Sequence, residues 1–315
     1  MKTYKKKPLT FAQQLELWKS RGLQVNDDSR ALRYLSQISY YRLSAYALPF
    51  QNVKDKFNEG TTFDDILNLY LFDRKLRLMV FDAIERIEIT LRTQMTYILG
   101  HKYNDSHWQD NASLFTPPYT NPRTGKIIDV YSDTQEIITK SKQAKHPEVF
   151  VKHYISKYNS PANPPSWMCV ELLTIGEISR LYNALKDKAD KKAIADFFNL
   201  HPTVFSSWLH TLVYARNICA HHSRLWNREF AIKPEVLLNP RKDWISPAYN
   251  SNNHRTFYFL SIIKYMLIAC NPGNHFKTKL ISLLYKYPGT PIQFMGIPTD
   301  SNGVLMDWKN EPIWR

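Results

Sequence analysis

The chain has 315 residues, of which 43% are hydrophobic and 14% aromatic, a composition that excludes an intrinsically disordered protein. Its 42 Lys and Arg against 28 Asp and Glu give a formal net charge of +14. Such an excess attracts polyanions and predicts a nucleic acid as partner, with a generic basic surface as the alternative.

Three features predict a cytoplasmic protein. No apolar run approaches the ~18 residues of a membrane-spanning helix, so we expect no membrane partner. The basic N-terminus leads into no apolar segment typical of a signal peptide. The three scattered cysteines, Cys169, Cys219 and Cys270, form no disulfide framework and fit a reducing compartment.

Apolar residues at helical spacing predict an all-α fold. We expect an N-terminal helical segment over 1–60, a helical domain over 61–287 and an extended, proline-rich tail over 288–315. In chain order, the predicted helices are Thr10–Arg21, Asp27–Ser36, Tyr40–Phe50, Thr61–Gly100, Val170–Leu185, Lys191–Asn199, Pro202–Leu225, Arg255–Ala269 and His275–Tyr287. We expect the tail to pack on the body through Phe294, Trp308 and Trp314.

Seven prolines between His101 and Trp167 predict an insertion. Its inner part, 137–158, is basic and helical in pattern, and it carries Lys140, Lys142 and Lys145. These lysines are candidates for RNA contact, and a solvated helix face is the alternative.

Arg216 is the first candidate functional residue. On a helical wheel it lies on the apolar stripe of the helix Pro202–Leu225. Because a guanidinium keeps its charge, a buried one must be paired or must face a surface where an anion binds. The sequence therefore leaves two interpretations of Arg216, a structural ion pair and a site that binds an anion.

Asn217 and His221 follow Arg216 on the same helix, at i, i+4 spacing. The Asn217 amide can then orient the His221 imidazole, which a histidine acting as acid or base requires. An arginine, an amide and a histidine near one helix end can bind a phosphodiester and move its protons. The R-x4-H spacing alone is weak evidence, since it arises by chance in many basic proteins.

The long helix places Glu88 inside its apolar stripe, with Arg92 one turn later at the edge. A buried carboxylate needs a cation. Arg216 is a candidate partner if the two helices pack together, and a local Glu88–Arg92 bridge is the alternative.

Metal or cofactor chemistry has little support in the sequence. Cys219 and His222 lack a second pair at zinc spacing, and there is no P-loop, dinucleotide fingerprint or clustered carboxylate set. We therefore predict no cofactor and no metal, and we add His222 and Arg224 to the candidate RNA contacts.

Several segments together resemble the Abi family of abortive-infection proteins, the Abi-D/Abi-F group, whose members carry a HEPN ribonuclease core. The segments that carry the resemblance are Pro8–Phe11, Ile38–Tyr46, Phe72–Arg77, Ile84–Arg92, Glu171–Ser179, Ala215–His221, Met295–Pro298 and Trp308–Trp314.

The resemblance implies an α-helical HEPN bundle that cleaves RNA without a metal. It implies Arg216 and His221 as the catalytic pair, with Asn217 accompanying the arginine and Glu88 and Arg92 in support. Because the chain has one such motif, a homodimer is implied. Toxicity in anti-phage defence, restrained by a structured non-coding RNA, is also implied.

The expected mechanism uses His221 as general base on a ribose 2′-OH and Arg216 to stabilise the charged transition state, giving a 2′,3′-cyclic phosphate. Two alternatives stay open: a non-catalytic RNA-binding protein and a scaffold that binds a phage protein.

Overall fold

Helices dominate the structure, and the predicted all-α class is confirmed. The computed structural model describes Thr3 and residues 7–315. The α-helices are α1 Phe11–Ser20, α2 Asp28–Ile38, α3 Tyr40–Ala47, α4 Phe63–Tyr103, α5 Val130–Gln143, α6 Val149–Lys157, α7 Ser166–Cys169, α8 Ile175–Ala184, α9 Lys188–Phe197, α10 Pro202–Ala220, α11 Thr256–Cys270 and α12 Phe276–Lys286. Two short strands, β1 Tyr119–Thr120 and β2 Ile127–Ile128, pair antiparallel as a hairpin.

The chain divides into two compact units. The first comprises the described residues up to Leu78 together with Lys277–Phe294, and the second comprises Met79–Phe276 with Met295–Arg315. Helix α4 begins in the first unit and ends in the second. The domain limits predicted from sequence, at 60 and 287, stay a prediction.

The first unit has a buried charge network in its core. Asp73 and Arg77, one turn apart on α4, form an ion pair, and the Tyr46 hydroxyl donates to Asp73 at 2.6 Å. All three side chains are buried. Burial raises the pKa of Tyr46, and the Asp73 charge adds to the effect, so the phenol stays a neutral donor. The carboxylate is thus satisfied by a cation and a hydroxyl.

The second unit holds the candidate site. Helix α8 packs against α10 and α5, and α9 packs against α10. Thr174 caps α8 in a capping box with Glu177, and Pro202 occupies the first turn of α10. These local signals fix where the two central helices begin.

The end of the tail, Met295–Arg315, packs within the second unit through tryptophans. Trp314 is fully buried, its ring lies 5.6 Å from that of Phe257, and its indole N–H donates to Ser261 at 2.9 Å. Trp308 is also buried. Phe294 is 41% exposed, and its predicted packing on the body stays a prediction.

Two predicted stretches differ from the structure. The basic inner part of the insertion is two helices, α5 and α6, rather than one. Helix α8 begins at Ile175 and not at Val170, because Thr174 caps it and a short 3-10 turn, Val170–Leu172, precedes it.

Candidate active site

The C-terminal end of α10 presents the candidate histidine. The helix stops at Ala220, five residues before its predicted end. Beyond it, His222 has a φ of +56°, its N–H donates to Cys219 O at 3.1 Å, and the Ser223 N–H donates to Ile218 O at 2.9 Å. This is a Schellman motif, whose left-handed position usually holds glycine. His221 and His222 therefore lie in an exposed cap that costs about 1 kcal/mol or more of backbone strain.

Arg216 lies at the edge of the buried face of α10 and not at its centre. The buried residues of α10 are Phe205, Trp208, Leu209, Thr211, Leu212, Ala215, Ile218 and Cys219. Their mean direction is about 70° from Arg216 on the wheel. The apolar stripe was misplaced because Val213 and Ala220, which pointed to Arg216, are only half-buried.

The guanidinium of Arg216 has an aromatic support. Its carbon lies 5.8 Å from the centroid of the Phe81 ring on α4. Within the described part of the chain, the Arg216 guanidinium forms no hydrogen bond and no ion pair. A half-buried guanidinium on an aromatic face keeps its N–H donors for an anion that arrives from outside.

Asn217 and His221 do not form the expected side-chain contact. Both side chains are exposed, and among the described residues neither donates to nor accepts from the other. The bond between the two residues runs instead from the His221 backbone N–H to the Asn217 carbonyl, at 2.9 Å. His221 is the C-cap, with φ −89° and ψ 12°, so the i, i+4 side-chain relation of a regular helix does not hold there.

Glu88 pairs with Arg92, and its proposed pairing with Arg216 is wrong. The Arg92 guanidinium donates to Glu88, to Val170 O and, at 2.6 Å, to Leu173 O. Arg92 is only 7% exposed. The pair therefore fastens the turn before α8 to α4 and makes no contact with Arg216.

The candidate RNA-contact lysines differ in their surroundings. Lys140 forms an ion pair with Glu136 at 2.6 Å, and Lys142 donates to Ala162 O and to Asn163. Lys145 is exposed. At the end of α10, His222 is exposed and Arg224 is half-buried. RNA contact by any of these five stays a prediction.

Phe81 is the site residue that the sequence did not reveal. It lies seven residues before Glu88 on α4, which places the two on the same helix face. The wheel thus identified the face of α4 that supports Arg216 but selected a residue two turns away. The search for a partner of Arg216 looked for an acidic side chain. Phe81 is uncharged, so that criterion could not identify it.

No group of three or more His, Cys, Asp and Glu side chains able to hold a metal ion is present in Thr3 and residues 7–315. No helix in the same range is long and apolar enough to cross a membrane.

Fold and site together define an all-α protein with an Arg-Asn-x3-His sequence at the end of a central helix. A family model described as Abi-like protein matches residues 33–227, well over half of the chain and including Glu88, Arg92 and Arg216 to His221. The chain belongs to the Abi-like protein family, which suggests a function in abortive infection and is compatible with a nuclease. No curated protein and no solved structure matches it significantly.

Proposed function

We propose that this protein is a metal-independent endoribonuclease of the HEPN type, acting as an abortive-infection effector in the cytoplasm. One observation carries the proposal: a half-buried Arg216 guanidinium, held on Phe81 without a protein acceptor, precedes the exposed His221 at the end of the same helix. Such a guanidinium suits the non-bridging oxygens of a phosphodiester, and an accessible imidazole suits proton transfer.

In the proposed reaction His221 takes the proton of a ribose 2′-OH. The 2′ oxygen attacks the adjacent phosphorus, the bond from phosphorus to the 5′ oxygen breaks, and that oxygen takes up a proton from solvent. Arg216 donates to the oxygens on which negative charge develops. The products are a 2′,3′-cyclic phosphate and a 5′-hydroxyl, and DNA is resistant because it lacks the nucleophile.

We further propose that the working form is a homodimer. In one chain, Arg216 and His221 are about 140° apart on the wheel and about 7.5 Å apart along the axis, and the cap turns His221 out of the helix. A second copy of the α10 end would supply a histidine to the arginine of the first. An isologous two-fold contact gives two such composite sites.

The test is cleavage of RNA oligonucleotides by the purified protein, with EDTA present and the product ends identified by mass spectrometry. Arg216→Ala and His221→Ala should lose about 10²-fold or more in rate while keeping the wild-type melting temperature. His153→Ala, which removes an exposed histidine on α6, is the matched control and should behave as wild type. Full cleavage by His221→Ala, or loss of all cleavage in EDTA, would overturn the proposal.

A second candidate function is RNA binding without cleavage, for example of a structured non-coding RNA. It is favoured by the His221 ring, which has no orienting hydrogen bond within the described residues. A binding protein would retain RNA affinity in His221→Ala and would not be toxic on expression. Wild-type toxicity in cells that is relieved by His221→Ala supports the nuclease.

A further inference from the structure

A groove of about 770 Å³ lies within the second unit, between α8, the first half of α10 and the β1–β2 hairpin. The hairpin contributes Tyr119 and Ile128 to its lining. Ser179 comes from α8, and Ser206 and His210 come from α10. None of these residues belongs to the candidate active site, and the groove has no role in the function proposed above.

The groove lies along the face of α10 that carries Asn217. His210 lines it and is exposed, and Asn217 follows seven residues later on the same face. Val213, which also lines the groove, lies between them. Seven helical residues span about 10.5 Å, so a ligand in the groove lies within one or two nucleotides of the α10 end.

The charges of the groove do not suit phosphate. Arg180, a cation of the lining, forms an ion pair with Asp133. Glu177 accepts from the Thr174 N–H at the start of α8. Glu235 is exposed and has no ion pair among the residues described. A lining with carboxylates, hydroxyls and a histidine offers hydrogen-bond partners to a base edge and repels a phosphate.

Cations for phosphate are present on the hairpin instead. The loop 121–126 carries Arg123 and Lys126, both exposed and neither in an ion pair within the described chain. Asn121 holds this loop, since its side chain accepts from the Arg123 and Thr124 N–H groups and its own N–H donates to Lys126 O at 2.8 Å. The two cations are therefore presented by an ordered turn.

Tyr119 supplies an aromatic surface at the edge of the groove. It is 53% exposed and lies on β1, directly before the loop. Single-stranded RNA is bound by the combination of an aromatic side chain on which a base stacks and nearby cations for the backbone.

We propose that this groove is a binding site for a nucleobase of single-stranded RNA, with Tyr119 as stacking platform and Arg123 and Lys126 as phosphate contacts. The binding site stands on its own observations. Only the position of the scissile phosphate, at Arg216 near the end of α10, rests on the proposed function.

The test measures the affinity of the full chain for a fluorescent single-stranded RNA by anisotropy. All variants carry His221→Ala, so that cleavage does not affect the result. Tyr119→Ala should bind roughly tenfold more weakly, and Tyr119→Phe should bind as its parent because it keeps the ring. Tyr97→Ala, which removes a 60% exposed tyrosine from α4, is the matched control and should have no effect.

The cations have a separate readout, the dependence of affinity on salt. Arg123→Ala/Lys126→Ala should reduce the slope of log affinity against log salt by about 1.4, because each lost phosphate contact changes it by about 0.7. Lys152→Ala/Lys242→Ala removes the same charge from other exposed positions of the second unit and should leave the slope unchanged.

Photocrosslinking of RNA that carries a thiolated base should label peptides within 116–130 or 203–213. Three results would each overturn the proposed RNA site. They are labelling confined to other peptides, equal affinity of Tyr119→Ala and Tyr97→Ala, and no binding of single-stranded RNA by the parent. A different result would contradict the proposed nuclease function, namely RNA cleavage by His221→Ala at the wild-type rate. If Tyr119→Ala left RNA affinity unchanged but abolished binding of a protein that the parent binds, the groove would be a protein-binding site. That result would also overturn the proposed RNA site.

Discussion

The guanidinium of Arg216 lies over the ring of Phe81, at 5.8 Å from its centroid, and so joins α10 to α4 by a cation–π contact. A planar guanidinium stacks on an aromatic face and still directs its N–H groups sideways. The contact therefore restricts the orientation of the arginine without using the donors that a phosphodiester would need.

Phe81→Leu should lower the kcat/KM for RNA cleavage by about fivefold, because the ring quadrupole is lost while apolar bulk remains. The unfolding free energy should change by less than about 1.5 kcal/mol, since the substitution conserves most of the volume of a half-buried side chain. Phe81→Tyr keeps the ring and is the control. Equal activity of the Leu and wild-type proteins would show that the ring does not orient Arg216.

Arg92→Ala should destabilise the protein by about 3 kcal/mol, measured by urea unfolding. The substitution leaves the half-buried Glu88 carboxylate and the buried carbonyls of Val170 and Leu173 without their donor. Glu88→Gln keeps an acceptor for Arg92 and should cost less than half as much. Because Glu88 does not contact Arg216, Glu88→Gln should also retain RNA cleavage within about threefold. A loss as large as that of Arg216→Ala would show that Glu88 is part of the active site.

Local sequence signals predicted most of the helices, but they could not predict which segments pack against each other. Asp27 caps α2 and Thr62 caps α4, because each side chain accepts from a backbone N–H of the first turn. Glu88 and Arg92 were recognised as an i, i+4 pair, but the sequence could not say that the same arginine also reaches two carbonyls before α8. That depends on which segment packs on α4. The end of α10 was missed because its left-handed position holds His222 and not glycine.

Gly296→Ala should destabilise the second unit by about 3 kcal/mol, which chemical unfolding measures. Gly296 has a φ of +92°, a conformation that costs an L-residue about 1–2 kcal/mol. A Cβ there would also overlap the Arg255 side chain at its Cβ and Cγ. Gly303→Ala is the control, because its φ is +76° but nothing lies within 4 Å of the added carbon. Gly303→Ala should lose only the stability that the backbone conformation costs. Equal losses of stability in the two variants would show that the overlap with Arg255 does not contribute.

The stability of the protein should fall below about pH 6.5 in part because of His254. Burial lowers the pKa of His254, Glu229 opposes the shift, and Lys233 and Arg255 add to it. The unfolded chain then binds this proton more readily, so stability is present above the unfolded pKa and is lost as the pH falls through the folded one. Urea midpoints at pH 7.5 and 5.5 should differ more for the wild type than for His254→Gln. Parallel decreases in both proteins would exclude His254 as a cause.

The proposed composite site predicts complementation between inactive variants. In a mixed dimer of Arg216→Ala and His221→Ala protomers, one site combines the arginine of the second variant with the histidine of the first and is complete. The other site lacks both groups. With random pairing, half of the dimers are mixed and each has one of two sites restored, so co-refolded protein should recover about a quarter of wild-type cleavage. Each variant refolded alone is the control. If the pair acted within one chain, every protomer would keep its defect and the mixture would stay inactive.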